Sequence, residues 1–174
     1  NPTLAYRLGP VRIGAGVQIE PATVDLKRDL ALPNGVFGST EMGANAFGIG
    51  ANVGVQVEAV KNVLSFGLAY RSTVVLNFEG NAHFEGIPDA LAGTIHDQAA
   101  TSRIVLPDTL TFGVAVRPIP QLVIDLDGVY YGWDYFRSID IHFPNDASGS
   151  LSTSQAKRWS STANVHLGAE LTLQ

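Results

Sequence analysis

The sequence predicts an all-β protein, namely a segment of an antiparallel transmembrane β-barrel with about seven strands. Residues 63–79 alternate apolar and polar side chains, and this places the two kinds on opposite sides of one strand. At about 3.3 Å per residue that strand would exceed about 50 Å, far longer than an ordinary soluble strand. The predicted connections also alternate between short turns and long loops, as in outer-membrane barrels.

Composition supports a β-rich chain and excludes several other classes. The 174 residues include 18 glycines and no cysteine, with 45% hydrophobic and 16% charged residues. No run of about 18 apolar residues is present, so we expect no transmembrane helix. The lack of cysteine excludes disulfide scaffolds and thiolate metal sites. A net charge of -5 with scattered basic residues argues against nucleic acid as a partner.

The first two predicted strands lie at residues 4–7 and 11–30. Apolar residues occupy odd positions up to Ile19 and even positions from Ala22 onward. A slip of one residue reverses the two faces of a strand, and proline lacks the amide donor, so the pattern predicts a bulge near Pro21. Residues 30–43, which contain Pro33-Asn34-Gly35, are predicted to form a loop.

Five more strands are predicted by the same alternation, at 47–58, 63–79, 110–117, 122–143 and 159–173. The 122–143 strand changes phase near Gly128, which would bring Val129 and Tyr131 to the apolar face. Short turns are expected at 60–62 and 118–121, and long loops at 80–108 and 144–157.

One side of each predicted strand should contact lipid, and the opposite side should line a conduit. The polar side carries the residues that we expect to face the lumen: Gln18, Glu20, Asn52, Gln56, Glu58, Asp125, Asp127, Asn164, His166 and Glu170. Aromatic residues between Tyr130 and Phe136 lie toward the loop end of their strand, where an interfacial girdle would sit.

Seven strands do not close a bacterial barrel, which has an even number of strands. Both edges of the sheet would also stay unpaired, and a membrane does not tolerate this. The opening residues, Asn-Pro-Thr-Leu-Ala-Tyr-Arg, have neither a Met nor the apolar segment of a signal peptide. We therefore expect residues 1–174 to be a mature or excised internal segment of a larger barrel.

Several short motifs follow one another in a specific order. They are Leu68-Ala69-Tyr70-Arg71-Ser72, Phe78-Glu79-Gly80, Leu106-Pro107-Asp108-Thr109-Leu110, Tyr131-Gly132-Trp133 followed by Phe136, and Trp159 leading into Leu167-Gly168-Ala169-Glu170. In this order they resemble the FadL/TodX family of outer-membrane transporters of long-chain fatty acids and aromatic hydrocarbons.

The resemblance implies a fourteen-stranded barrel with an N-terminal hatch, of which the hatch and the closing C-terminal strands are missing here. It implies passive uptake of hydrophobic molecules through an apolar pocket and a lateral opening in the barrel wall, in the outer membrane of a Gram-negative bacterium. The expected protein is a multi-pass monomer in contact with outer-membrane lipid. It is expected not to be an enzyme and to need neither a cofactor nor a metal.

Three basic residues are candidate ligand contacts. The resemblance places the family's head-group arginine on Arg28, with Lys27 beside it; the alternative is a solvated pair at the edge of a loop. A guanidinium pairs well with a carboxylate. Arg71 faces inward on its predicted strand, where it either contacts ligand or pairs with a carboxylate from another wall. The candidate partners are Glu58, Asp125 and Glu170.

Two other functions stay open. Asp125 and Asp127, about 7 Å apart on one face, could form a carboxylate pair, although lumen polarity explains them as well. Ser160, Asn164 and His166 suggest a barrel lipase, but Ser160 and His166 would lie roughly 20 Å apart. A structural or adhesin-type barrel without hydrophobic cargo is the other alternative. The sequence does not decide between fatty acid and aromatic hydrocarbon as cargo.

Overall fold

The computed structural model describes residues 1–32, 35–146, 149 and 151–173. These residues form eleven β-strands and a short 3-10 helix at Trp133–Tyr135. The strands are β1 (Thr3–Leu8), β2 (Val11–Ala31), β3 (Phe37–Val60), β4 (Leu64–Arg71), β5 (Val74–Glu85), β6 (Gln98–Leu106), β7 (Thr109–Ile119), β8 (Leu122–Tyr131), β9 (Ser138–His142), β10 (Thr153–Ala156) and β11 (Thr162–Leu171). Pro33 and Asn34 of one predicted loop, and Ala147, Ser148 and Ser150 of another, lie outside the described residues.

All strand pairs are antiparallel, and the sheet divides into two ladders at β3. We call β3-β4-β7-β8-β11 the lower ladder and β3-β5-β6-β9-β10 the upper ladder; β1 and β2 continue the sheet beyond β3. Each of β4-β5, β6-β7, β8-β9 and β10-β11 is one wall strand with a break. The chain is therefore a seven-stranded, open segment of antiparallel sheet, as the sequence predicts.

The predicted single strand at 63–79 is wrong, because the chain breaks between β4 and β5. At the break Ser72 still forms hydrogen bonds with β3. Its amide donates to the Ala51 carbonyl at 2.9 Å, and its Oγ accepts from the Ala51 amide at 2.9 Å. Comparable breaks lie between the other three pairs, at residues 107–108, 132–137 and 157–161.

The break reverses the face to which side chains point. We call the face of the sheet that carries Asn52 the inner face and the opposite face the outer face. Tyr70 lies opposite Val53, on the outer face, whereas Ala82 lies opposite Met42, on the inner face. Leu64, Phe66, Leu68 and Tyr70 therefore point outward, and Val74, Leu76 and Phe78 point inward, so the expectation that they share one face is wrong.

The bulge predicted at Pro21 is also wrong, and residues 30–31 and 37–43 of the loop predicted at 30–43 are in strands. The pairing of β2 with β3 runs without a shift from Val11 opposite Val57 to Ala31 opposite Phe37. The apolar residues change face because their surroundings change along the strand. Up to Ile19 they are exposed on the outer face, whereas Ala22 and Val24 pack inward against the buried core.

The phase change predicted at Gly128 does not occur either. β8 pairs with β11 without a shift from Leu122 opposite Leu171 to Tyr131 opposite Thr162. Val129 and Tyr131 thus share the inner face with Asp125 and Asp127.

The predicted loops at 80–108 and 144–157 contain the end of β5 and all of β6 and β10. In these strands small residues such as Ala82 and Ala100 occupy the buried positions. Because small side chains contribute little to an apolar alternation, the sequence pattern there is weak.

The core lies in the upper ladder, where β2 and β3 face β5, β6 and β9. Val74, Leu76 and Phe78 are buried against Ala22, Val24, Ala44, Ala46, Ile104 and Leu106. A second cluster buries Ala82, Ala100 and Phe143. In the described part of the chain no helix has the length and apolarity that a membrane span requires.

Candidate functional site

The inner face of the lower ladder carries polar residues in rows across the strands. The register places on the inner face, in this ladder or in the neighbouring β2, all ten residues that the sequence predicts to face the lumen. Asn52 lies opposite Arg71, and Arg71 opposite Thr109. In the row that lies four residues from Arg71, on the side away from the break, Asp127 lies between Gly113 and His166. This concave face borders an open space of about 880 Å³, which we call the lower concavity.

Two glycines let acidic side chains lie against the wall. A Cβ on Gly113 of β7 would collide with Asp127 Oδ1, and a Cβ on Gly168 of β11 would lie 2.6 Å from Asp125 Oδ2. β7 and β11 flank β8 on opposite sides, so the two carboxylates turn away from each other. The structure therefore does not bring Asp125 and Asp127 together as a catalytic pair.

Arg71 forms no ion pair with a described residue. Glu58 lies instead near Arg7, with its Oε2 3.9 Å from Arg7 Nη2, and accepts the Asn62 amide at 2.7 Å. Asp125 lies in the row of Ser65, six residues below Arg71 and thus about 20 Å away. The structure does not bring Arg71 to the partners expected from the sequence, and ligand contact stays a prediction.

Lys27 and Arg28 point to opposite faces because they are neighbours in β2. On the outer face Lys27 Nζ lies 2.9 Å from Glu41 Oε2, and the hydrogen bond and charge of Glu41 raise the pKa of Lys27. Arg28 lies opposite Thr40 on the inner face, at the end of the upper core. Of the two, Arg28 alone can meet a ligand inside.

A small apolar pocket of about 40 Å³ lies between β2-β3 on one side and β5-β6-β9 on the other, which we call the two layers of the upper core. We call it the interlayer pocket; its lining includes Val24, Leu26, Met42, Phe78 and Ile141. Three polar side chains on the same inner face have atoms without a hydrogen-bond partner: Thr40, Gln98 and Ser102. Thr40 and Gln98 are only 6% and 7% exposed. The sequence pattern pointed to none of the three, and Gln98 and Ser102 fall in a predicted loop.

The aromatic run between Tyr130 and Phe136 divides into two groups. Trp133 and Phe136 pack with Trp159, with ring centroids 4.8 Å apart for the two tryptophans and 4.9 Å for Phe136 and Trp159. Tyr130 and Tyr135 stay exposed. Tyr70 lies on the outer face near the end of β4, and its hydroxyl donates a hydrogen bond to Asp108 at 3.3 Å.

The residues of a possible lipase do not form a catalytic arrangement. Ser160 precedes β11, whereas His166 lies opposite Asp127 on the inner face. Among the described residues no hydrogen bond joins Ser160 to His166. Another histidine, His83 of β5, pairs with Asp97, with 2.9 Å between Nδ1 and Oδ2. The described residues include no group of three or more His, Cys, Asp or Glu that could hold a metal.

The whole chain, residues 1–174, matches the family model described as outer membrane protein transport protein (OMPP1/FadL/TodX). Comparison with curated proteins gives no match. Solved structures that share the fold include the following three. A Pseudomonas aeruginosa FadL homologue aligns with a TM-score of 0.83 at 14% identity, over 99% of this chain and 45% of its own.

The CymD monoaromatic hydrocarbon channel aligns with a TM-score of 0.72 at 17% identity, over 98% of this chain and 54% of its own. The TodX deltaS2S3 mutant, also a monoaromatic hydrocarbon channel, aligns with a TM-score of 0.63 at 15% identity, over 99% of this chain and 54% of its own. This chain thus spans about half the length of these structures.

Proposed function

The chain belongs to the outer membrane protein transport protein family (OMPP1/FadL/TodX), and on this basis we propose that the full-length protein carries hydrophobic small molecules across the outer membrane of a Gram-negative bacterium. The segment described here forms part of the barrel wall. Cargo passes by diffusion along the inner face, while the outer face of the lower ladder contacts lipid.

One observation carries this proposal: the apolar side of the wall switches from the outer to the inner face at one level. In β2 the switch occurs between Ile19 and Ala22, and in the wall strand β4-β5, on the other side of β3, it occurs between Tyr70 and Val74. An apolar outer face needs lipid around it. Once a strand rises out of the bilayer its outer face meets water, and the apolar side chains turn inward.

The outer face of the lower ladder supports contact with lipid. Phe66, Leu68, Phe112, Leu126 and Leu167 are exposed there, and they form rows with other apolar side chains across four strands. An exposed apolar surface of this extent is typical of a protein that sits in a membrane or an interface.

The upper core supports an apolar cargo with a polar end. The interlayer pocket is lined almost wholly by apolar side chains. Buried polar groups are nearly always hydrogen-bonded, yet Thr40 and Gln98 have unpartnered atoms beside this core. Arg28 lies in the same row as Thr40. These groups suit the carboxyl head of a fatty acid, while an aromatic hydrocarbon is the alternative cargo.

Flux into liposomes tests the proposal. The purified full-length protein is reconstituted into liposomes that contain lipopolysaccharide. Entry of an added long-chain fatty acid is followed with an enclosed fluorescent fatty-acid-binding reporter, and entry of a radiolabelled monoaromatic hydrocarbon is followed by filtration. We expect faster entry than into protein-free liposomes. Entry that stays at the protein-free rate for both cargos contradicts transport and favours a structural barrel. Release of free fatty acid from the liposome lipids themselves would favour a lipase.

A further inference from the structure

The two layers of the upper core close on each other at their lower end, where residues 72–76 lie against β3. Val74 of β5, which is 2% exposed, lies against Gly48 and Gly50 of β3. A Cβ on Gly50 would lie 2.7 Å from Val74 Cγ2, and a Cβ on Gly48 would collide with Val74 Cγ1. The two glycines therefore make this close approach possible.

This contact lies between the two spaces of the inner face. Above it, the interlayer pocket includes Ala44 of β3 and Phe78 of β5. Below it, the lower concavity includes Asn52 of β3 and Arg71 of β4. Gly48 and Gly50 fall between Ala44 and Asn52, and Val74 falls between Arg71 and Phe78. A molecule that moves along this wall between the upper pocket and the lower concavity passes this point.

The contact is held by side chains rather than by a backbone ladder. β5 pairs with β3 only from Glu79 to Glu85, opposite Ser39–Asn45. Residues 74–78 pair with β6 instead. β5 and the residues before it are attached to β3 at Ser72 and again from Glu79 onward. Between these two attachments Val74 meets the glycines only through weak dispersion contacts, so it can move away from them while both attachments stay.

We infer that Val74, closed on Gly48 and Gly50, is the barrier between the interlayer pocket and the lower concavity, and that its width determines which cargo passes. This inference rests on the proposed transport function. Opening the barrier moves Val74 away from β3, and the size of the side chain at position 74 limits the cross-section of the cargo.

A reversible crosslink tests the barrier. The chain has no cysteine, so Gly50→Cys with Val74→Cys in the full-length protein gives one defined pair, close enough for a disulfide. We expect oxidation to abolish most of the fatty-acid flux into liposomes and reduction to restore it. The matched control is Val75→Cys with Val105→Cys, which lie opposite each other on β5 and β6 and whose crosslink leaves the barrier free.

The outcomes separate the barrier from the transport function. Flux that is equal in the oxidised and reduced Gly50→Cys/Val74→Cys protein overturns the barrier, while transport by the unmodified protein stands. Absence of flux through the unmodified protein overturns both proposals.

A second variant measures selectivity and does not depend on disulfide formation. Val74→Ala should raise the flux of a bulky branched cargo relative to a slim linear one. Val75→Ala, which removes the same methyl groups from the neighbouring residue on the outer face, should leave the ratio unchanged. A purely structural role for Val74 would lower both fluxes equally, and an unchanged ratio in Val74→Ala overturns the inference.

Discussion

The Asp127 carboxylate of β8 lies directly over Gly113 of β7, in a space that a Cβ on Gly113 would occupy. The acidic group therefore lies along the wall instead of projecting from it. Since the colliding atom is the end of a rotatable side chain, a substitution at Gly113 moves the carboxylate and leaves the backbone in place.

Gly113→Ala should push the Asp127 carboxylate into the lower concavity. We expect slower flux of fatty acid, because the charge then repels the carboxylate of the cargo at closer range. Flux into liposomes measures the effect, and Gly113→Ala with Asp127→Asn should restore it. Slow flux that persists in the double variant would show that the added methyl group, and not the charge, is responsible.

Arg28→Ala should weaken binding of a long-chain fatty acid by roughly tenfold, the usual effect of losing a hydrogen bond to a charged group. Lys27→Ala is the matched control, because Lys27 faces outward and pairs with Glu41. Calorimetric titration of the full-length protein in detergent measures both. Equal losses in the two variants, or none in Arg28→Ala, would remove Arg28 from the ligand site.

Gly80→Ala should destabilise the upper ladder by about 1–3 kcal/mol, the usual cost of overpacking. Its Cβ would collide with the Gly43 carbonyl and the Ala44 backbone, which cannot rotate away. Gly67→Ala is the control, since a Cβ there meets nothing within 4 Å. Thermal unfolding in detergent should show a lower Tm for Gly80→Ala only; equal Tm values would mean that the strands can move apart.

The attachment of residues 86–97 to β5 should depend on pH. Asp97 accepts from the Phe84 amide at 2.8 Å and pairs with His83. The hydrogen bond with Asp97 raises the pKa of His83 above 6.5, and the same bond lowers the pKa of Asp97 below 3.8. The histidine contribution is therefore full below pH 6.5 and lost as pH rises through the raised pKa. The aspartate contribution is lost as pH falls through the lowered pKa.

Amide hydrogen exchange in residues 86–97, corrected for the intrinsic pH dependence, should thus show greatest protection in the mildly acidic range between these two values. His83→Gln should remove the loss of protection on the alkaline side. A corrected profile for the unmodified protein that stays flat across the His83 titration would contradict this prediction.

The sequence by itself determined the class of fold and which side chains share a face below the breaks. Alternation at Leu64 to Tyr70, at Leu110 to Val116 and at Val165 to Leu171 is strong because one face of each strand is apolar and the other is polar or small. The register then places Gln18, Asn52, Asp127 and His166 on one face, because parity along a strand is a local property.

Only the tertiary structure decided which face is buried above the breaks. Tyr70 and Val74 both occupy even positions, so their alternation looks continuous, and the reversal at Ser72 is invisible until β5 is seen packed over β3. The reverse holds in β2, where the faces seem to slip at Pro21 although the pairing is continuous. Hydrophobicity shows where an apolar surface lies along a strand, but whether lipid or protein covers that surface depends on partners distant in the sequence.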